Sequence, residues 1–129
     1  MSYIFENLVV WKKAHQLVLK IYEYTKDFPK EEKYGLTSDM RRSARSVPTN
    51  IVEGYKRKGY KDAQNFFNIS EASLEELKYH SLLAHDLEYL DDIKYIKLAE
   101  MEDEVGRLLN KWKKEYTQKN FQKSLINNP

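Results

Sequence analysis

Apolar residues recur every three and four positions through four long stretches of this chain, and that spacing admits essentially one kind of fold. In the first stretch Trp11, Ala14, Val18, Ile21, Thr25 and Phe28 share one helix face, with Leu17 and Tyr24 beside them. Asn7 is the expected N-cap, and Pro29 is the expected stop, because the residue before a proline is pushed out of the α region. A polar loop, Lys30 to Gly35, follows. The second stretch starts near Thr37 and carries Leu36, Met40, Ala44, Val47, Ile51 and Tyr55, with Asp39 in its first turn where an acid suits the helix dipole. The third runs from about Lys61 to Leu90, with Ala63, Phe67, Ser70, Leu74, Leu77, Ser81 and Ala84 in line. Phe66, Ile69, Ser73, Leu83, Leu87 and Leu90 widen that stripe. Asp91-Asp92 turns the chain and is expected to cap a fourth stretch, marked by Leu98, Met101, Val105, Leu108, Trp112 and Tyr116.

Four amphipathic helices with short connections predict an all-α, antiparallel up-down four-helix bundle. Only 4 Gly and 3 Pro punctuate the 129 residues, too few for a turn-dense β fold. The bundle domain is expected over residues 1–116. The pattern fades at Thr117, so 117–129 is expected to be a frayed or disordered tail.

Pro48 falls in the middle of the second stripe. It lacks the N–H that would bond to the Ala44 carbonyl, and its ring crowds that group, so a kink is expected there. Asn50 and Glu53 lie just beyond and are candidates to satisfy backbone groups freed by Pro48 or to bond across a subunit contact. Gly54 is expected to allow close helix approach, as are the small residues Ser43, Ala44, Ser46 and Thr49. Gly59 is expected to end this helix just after a run of cations.

Charge is segregated along the chain. Residues 41–61 hold seven basic residues and one acid, although the whole chain carries only +2. Residues 70–104 hold eleven acids and three lysines, and 105–129 turn basic again. The alternation predicts one basic and one acidic face, or subunits meeting through complementary patches. Arg41, Arg42 and Arg45 lie three and four apart, on one expected flank of the second helix, and arginine suits bidentate phosphate contact. Lys56, Arg57, Lys58 and Lys61 extend the basic surface, with Tyr55 and Tyr60 interleaved as stacking residues. The competing account pairs the arginines with acids of the third helix or of another subunit, and leaves the scattered acids of helices three and four on a solvated face.

No catalytic constellation stands out. His80 and His85 are five apart and do not share a helix face as metal ligands would, and no second Glu-x-x-His copy exists for a di-iron bundle. No Cys is present, so thiolate sites and disulfides are excluded, which suits a reducing cytoplasm. The first residues, MSYIFENLVVWKK, lack the layout of a secretory leader, and no apolar run reaches the ~20 residues that span a bilayer. No cofactor, metal, membrane or small-molecule substrate is expected.

The stretch from Phe5 to Gly59 resembles the four-helix-bundle family of 23S rRNA intervening-sequence proteins. The shared residues are Phe5-Glu6-Asn7-Leu8 with Trp11, Phe28-Pro29-Lys30-Glu31-Glu32, Tyr34-Gly35-Leu36-Thr37, Arg41-Arg42-Ser43-Ala44, Ser46-Val47-Pro48, Asn50-Ile51 and Glu53-Gly54. Phe66, Ser73, Glu75, Leu77 and Leu87-Glu88-Tyr89-Leu90 continue the match, which covers residues 5 to about 112. The chain is more remotely similar to accessory proteins of diversity-generating retroelements, which are basic pentameric bundles. The resemblance implies a bacterial homo-oligomer, a ring of five, and supplies no catalytic residues; the cytoplasmic location is expected from the composition. The expected function is a non-catalytic nucleic-acid-binding or RNA-associated scaffold, its phosphates held by Arg41, Arg42, Arg45, Lys56, Arg57, Lys58 and Lys61. The alternative is a protein-interaction module that docks a partner or sister subunit through charged faces.

Overall fold

The structure, a computed structural model, describes the backbone of residues 3–127 and the side chains within 3–116 apart from that of Asn7. A 3-10 turn, Ile4–Asn7, leads into α1 (Val9–Thr25). A second 3-10 turn, Lys30–Glu32, precedes α2 (Leu36–Tyr55), which is followed by α3 (Tyr60–Asp86) and α4 (Asp92–Asn127). Among the described residues there is no strand. Each helix packs on its neighbours in sequence, and α4 returns to α1, so the four close into an antiparallel bundle.

Leu17 and Ile21 of α1, Met40, Val47 and Ile51 of α2, Leu77 of α3, and Leu98, Val105 and Leu109 of α4 are fully enclosed between the helices. Each such side chain contributes roughly 1.5–3 kcal/mol by leaving water. The tightest packing is α2 on α3, where small residues face each other. Ser43, Ala44, Ser70 and Ser73 are buried there, and every hydroxyl has a partner nearby. Ser70 donates to the Val47 carbonyl at 2.8 Å, Ser46 and Ser73 bond through their hydroxyls at 2.6 Å, and Ser43 donates to the Met40 carbonyl at 3.2 Å. At Gly54 a Cβ would overlap the Phe67 ring and lie 3.0 Å from the Ala63 carbonyl oxygen, so the backbones meet where only glycine fits.

Several helix ends differ from the sequence expectation. Leu8, in extended conformation, and not Asn7, occupies the N-cap position of α1, because the 3-10 turn carries the chain one residue further before the helix begins. α1 ends at Thr25, and Phe28 is buried from the following turn. α2 ends at Tyr55, which leaves Lys56-Arg57-Lys58 in the turn. Gly59 is the extended N-cap of α3 and not the left-handed stop of α2. α3 stops at Asp86, short of Leu90: Glu88 turns through a φ of 66°, and the Tyr89 and Leu90 amides both bond back to the Ala84 carbonyl. Asp91 caps α4 as expected, accepting from the Lys94 amide at 2.8 Å. The expected frayed tail falls on 117–129, whose side chains lie outside the described residues.

Candidate nucleic-acid interface

The up-down course decides where the charge goes. Because α1 and α3 run opposite to α2 and α4, the start of α1, the α2–α3 turn and the later half of α4 share one end of the bundle. The α1–α2 and α3–α4 turns share the other. Ring pairs mark both ends: Phe67 of α3 meets Trp112 and Tyr116 of α4 at 4.5 and 5.3 Å, and Phe28 meets Tyr89 at 5.4 Å. The first end carries Lys56, Arg57, Lys58, Lys61, Lys111, Lys113 and Lys114. The α3–α4 turn at the second carries Asp86, Glu88, Asp91 and Asp92. The cations of the α2–α3 turn and late α4 therefore gather at the first end and the acids of the α3–α4 turn at the second, while the α1–α2 turn carries Lys26, Lys30 and Lys33 beside Asp27, Glu31 and Glu32.

The basic residues differ in what holds them. The Arg41 Nε donates to the Thr25 hydroxyl at 2.9 Å, and its guanidinium lies 4.6 Å from the centre of the Tyr22 ring. Arg45, exposed, donates to the Tyr22 hydroxyl at 2.6 Å. Both lean on α1. Arg42 turns the other way, to α3, where it donates to Glu76 at 2.8 Å with Asp39 at 3.8 Å. The Glu76 hydrogen bond and charge hold its pKa above the usual guanidinium value. The three arginines thus do not share a flank. Adjacent positions on a helix stand ~100° apart, enough to send Arg41 and Arg42 to different neighbours. Arg57 is matched by Glu53 at 3.1 Å and Asp62 at 3.7 Å, and lies over the Phe66 ring at 4.4 Å. Lys56, Lys58 and Lys61 are exposed and form no ion pair among the described residues. Tyr60, beside them, is 44% exposed.

α2 continues through Pro48 as one helix, and the proline ring is buried. Asn50 donates to the Ser46 carbonyl at 2.8 Å and the Ser46 hydroxyl at 2.9 Å, one turn back, and not to the Ala44 carbonyl that Pro48 leaves without its donor. Glu53 points outward to Arg57.

One acid is buried against expectation. Glu102, expected on a solvated face, is 2% exposed and accepts from the Ser81 hydroxyl at 2.7 Å between α3 and α4. Burial pushes its carboxyl up to about 7, against the opposing pull of the Ser81 hydrogen bond and the Lys78 charge. A signal for this existed in the sequence: Met101, Val105 and Leu108–Leu109 set the inward face, and Glu102 lies at its edge, about 20° beyond Leu109 by helical angle. Of the histidines, His15 stacks on Trp11 at 4.9 Å, and His85 bonds to Asp92 at 2.7 Å and stacks on Tyr95 at 4.4 Å. Among the described residues no group of three or more His, Asp or Glu could hold a metal ion, and no helix is long and apolar enough to cross a membrane. A groove of about 440 Å³ between α3 and α4 is lined by Glu71, Glu75, Lys78 and Asp103. Lys78 pairs there with Glu75 and Asp103, and Lys113 with Glu71.

A family model described as 23S rRNA-intervening sequence protein matches residues 6–111. Among solved structures, a protein of unknown function from the S23 ribosomal protein family of Bacteroides thetaiotaomicron aligns with a TM-score of 0.73. It is 23% identical, and the alignment covers 82% of this chain and 99% of that one, a likeness that shows the fold. No curated protein matches the chain.

Proposed function

Because the chain belongs to the family of 23S rRNA-intervening sequence proteins, we propose that it is a non-catalytic, oligomeric scaffold that binds RNA through the basic end of its bundle. The family description names an rRNA context, and neither the family nor the aligned structure is described as an enzyme. One observation carries the proposal: Lys56, Lys58 and Lys61 stand exposed around a single turn with no carboxylate partner among the described residues, while acids gather at the far end. Arg45, engaged only by a neutral hydroxyl, adds a further cation on α2. Arg42 and Arg57, already matched by acids, contribute less to phosphate binding than their number in the sequence implied.

Such binding is sequence-independent and salt-dependent, since it releases counterions. Fluorescence anisotropy with a labelled single-stranded RNA at two salt concentrations tests it. Replacing Arg45, Lys56, Lys58 and Lys61 with Ala should weaken binding and flatten the salt slope by about 0.7 for each phosphate no longer neutralised. An unchanged slope defeats the assignment.

Self-association has its own support, whereas the number five rests on the resemblance alone. Ile69, Tyr79 and Leu82 of α3 are 42–59% exposed, and Ile93 and Ile96 of α4 more than half, so one copy leaves apolar surface to water. The same residues favour the second reading, a protein-interaction module. In that case light scattering would show assembly while RNA affinity stays negligible.

A further inference from the structure

Between the first half of α1 and the second half of α2 lies a groove of about 350 Å³, lined by Phe5, Trp11, His15, Arg45, Pro48 and Thr49 among others. That volume falls within the ~300–1,000 Å³ of small-molecule sites. One wall is a train of rings. Tyr3 and Phe5 are stacked at 5.4 Å, Phe5 meets Trp11 edge-on at 5.0 Å, and Trp11 and His15 lie parallel at 4.9 Å. The opposite wall holds the buried Pro48 ring and, at its inner end, the Arg45 guanidinium, steadied by the Tyr22 hydroxyl. Glu53 also lines the groove, but its charge is matched by Arg57 at 3.1 Å. Lys56, one turn beyond Val52, stands where the groove meets the basic end.

We propose that this groove seats an unpaired base of a single-stranded nucleic acid, with Arg45 contacting the adjoining phosphate. The proposal rests on the RNA-binding reading above and narrows it from nucleic acid in general to unpaired strands. The chemistry is particular. A duplex hides the faces of its bases, whereas a single strand offers them to aromatic side chains, and every base has such a face. A ring train beside an unmatched guanidinium provides both a stacking surface and an anion contact within one groove. A basic surface without the rings would hold backbone only. Pro48 has a part in this wall, since its compact, rigid ring lines the groove where a longer side chain would fill it.

Trp11 and Trp112 are the only tryptophans, so Trp112→Phe leaves Trp11 as the sole reporter. This variant, its fold checked by circular dichroism, is titrated with a ten-nucleotide oligoadenylate RNA, the DNA equivalent, and the same RNA backbone made abasic throughout. The intact strands should quench Trp11 emission and bind at least about tenfold more tightly than the abasic one. His15→Ala, at an exposed position, should weaken binding of the intact RNA several-fold without altering its salt slope. Equal affinity for abasic and intact RNA, with Trp11 emission unmoved, overturns the base site and leaves the phosphate-binding reading standing. No binding of any strand overturns both. Trp11 emission that changes on diluting the protein alone and not with RNA assigns the groove to a second copy of the chain, which also overturns the proposal.

Discussion

The two ends of the bundle are made by the same four helices, yet they differ in both charge and construction. At the basic end the α2–α3 turn projects Lys56, Lys58 and Lys61 without carboxylate partners among the described residues, and the layer beneath is aromatic, with Phe67, Trp112 and Tyr116 packed together. At the acidic end the polar groups are tied together. The Tyr89 hydroxyl donates to Glu32 at 3.1 Å, burial and that hydrogen bond raise its pKa, and His85 bonds to Asp92. At the basic end the three turn lysines are thus left without carboxylate partners among the described residues, whereas at the other end Tyr89 and His85 tie Glu32 and Asp92 into hydrogen bonds. Unmatched like charge repels itself, and a polyanionic partner of the kind proposed would relieve that repulsion.

The sharpest way to break this comparison is to exchange the sign of one end. Lys56, Lys58 and Lys61 together replaced by Glu should lower RNA affinity more than about a hundredfold at low salt. Neutralising Asp86, Glu88 and Asp91 to Asn or Gln should leave affinity unchanged or raise it. Anisotropy titrations compare the two variants directly, and similar decreases at both ends would dismiss the polarity as the cause.

Between the ends, Glu102 supplies the next largest effect. Its folded carboxyl titrates at about 7, above the ordinary glutamate value of 4.5, so between these pH values the native state holds a proton that the unfolded state has released. The stability this group contributes is therefore fully present below pH ~4.5 and falls as pH rises to about 7, by roughly 3 kcal/mol in all. Glu102→Gln, which keeps the Ser81 hydrogen bond, should remove that slope and stabilise the protein above pH 7. Urea melts at pH 5 and pH 8 test it.

The two helical glycines test how tightly the helices are packed. Gly54→Ala, at the basic end, must displace the Phe67 ring and should cost about 1–3 kcal/mol. Gly106→Ala, in mid-α4, meets Leu74 Cδ2 at 3.5 Å, an ordinary distance, and should stabilise by up to about 1 kcal/mol through helix propensity. Urea denaturation reads both, and a Gly54→Ala variant that is stabilised would mean that α2 and α3 are not in close approach. The smallest effect belongs to Arg42→Ala. The residue is exposed and its pair with Glu76 is a surface pair, so stability should fall by less than about 1 kcal/mol, and RNA affinity should change less than for Arg45→Ala.

Much of the fold was legible in the sequence, because the three-four apolar spacing survives in every helix and carries the buried serines of α3, and an aspartate stands where α4 needs its cap. The helix ends were less legible. Whether Gly59 stops α2 or starts α3 depends on a single φ angle, and its value of −96° belongs to an extended residue. The candidate site was the least legible part. Seven cations in one stretch suggest one patch, but Arg42 and Arg57 find acids that lie 34 and four or five positions away, and Arg41 finds a ring on α1.

By itself the chain's alternation of apolar and polar residues determined four helices, their order and the composition of their common core. Periodicity is a local property, read within one turn or two of backbone. Which cations stay unmatched, which acid is buried, and that the rings of the first residues come to face Pro48 and Arg45 were decided only when the helices packed. Each of these depends on side chains far apart in sequence meeting at a few ångströms, and charge and solvation energies change steeply over that distance.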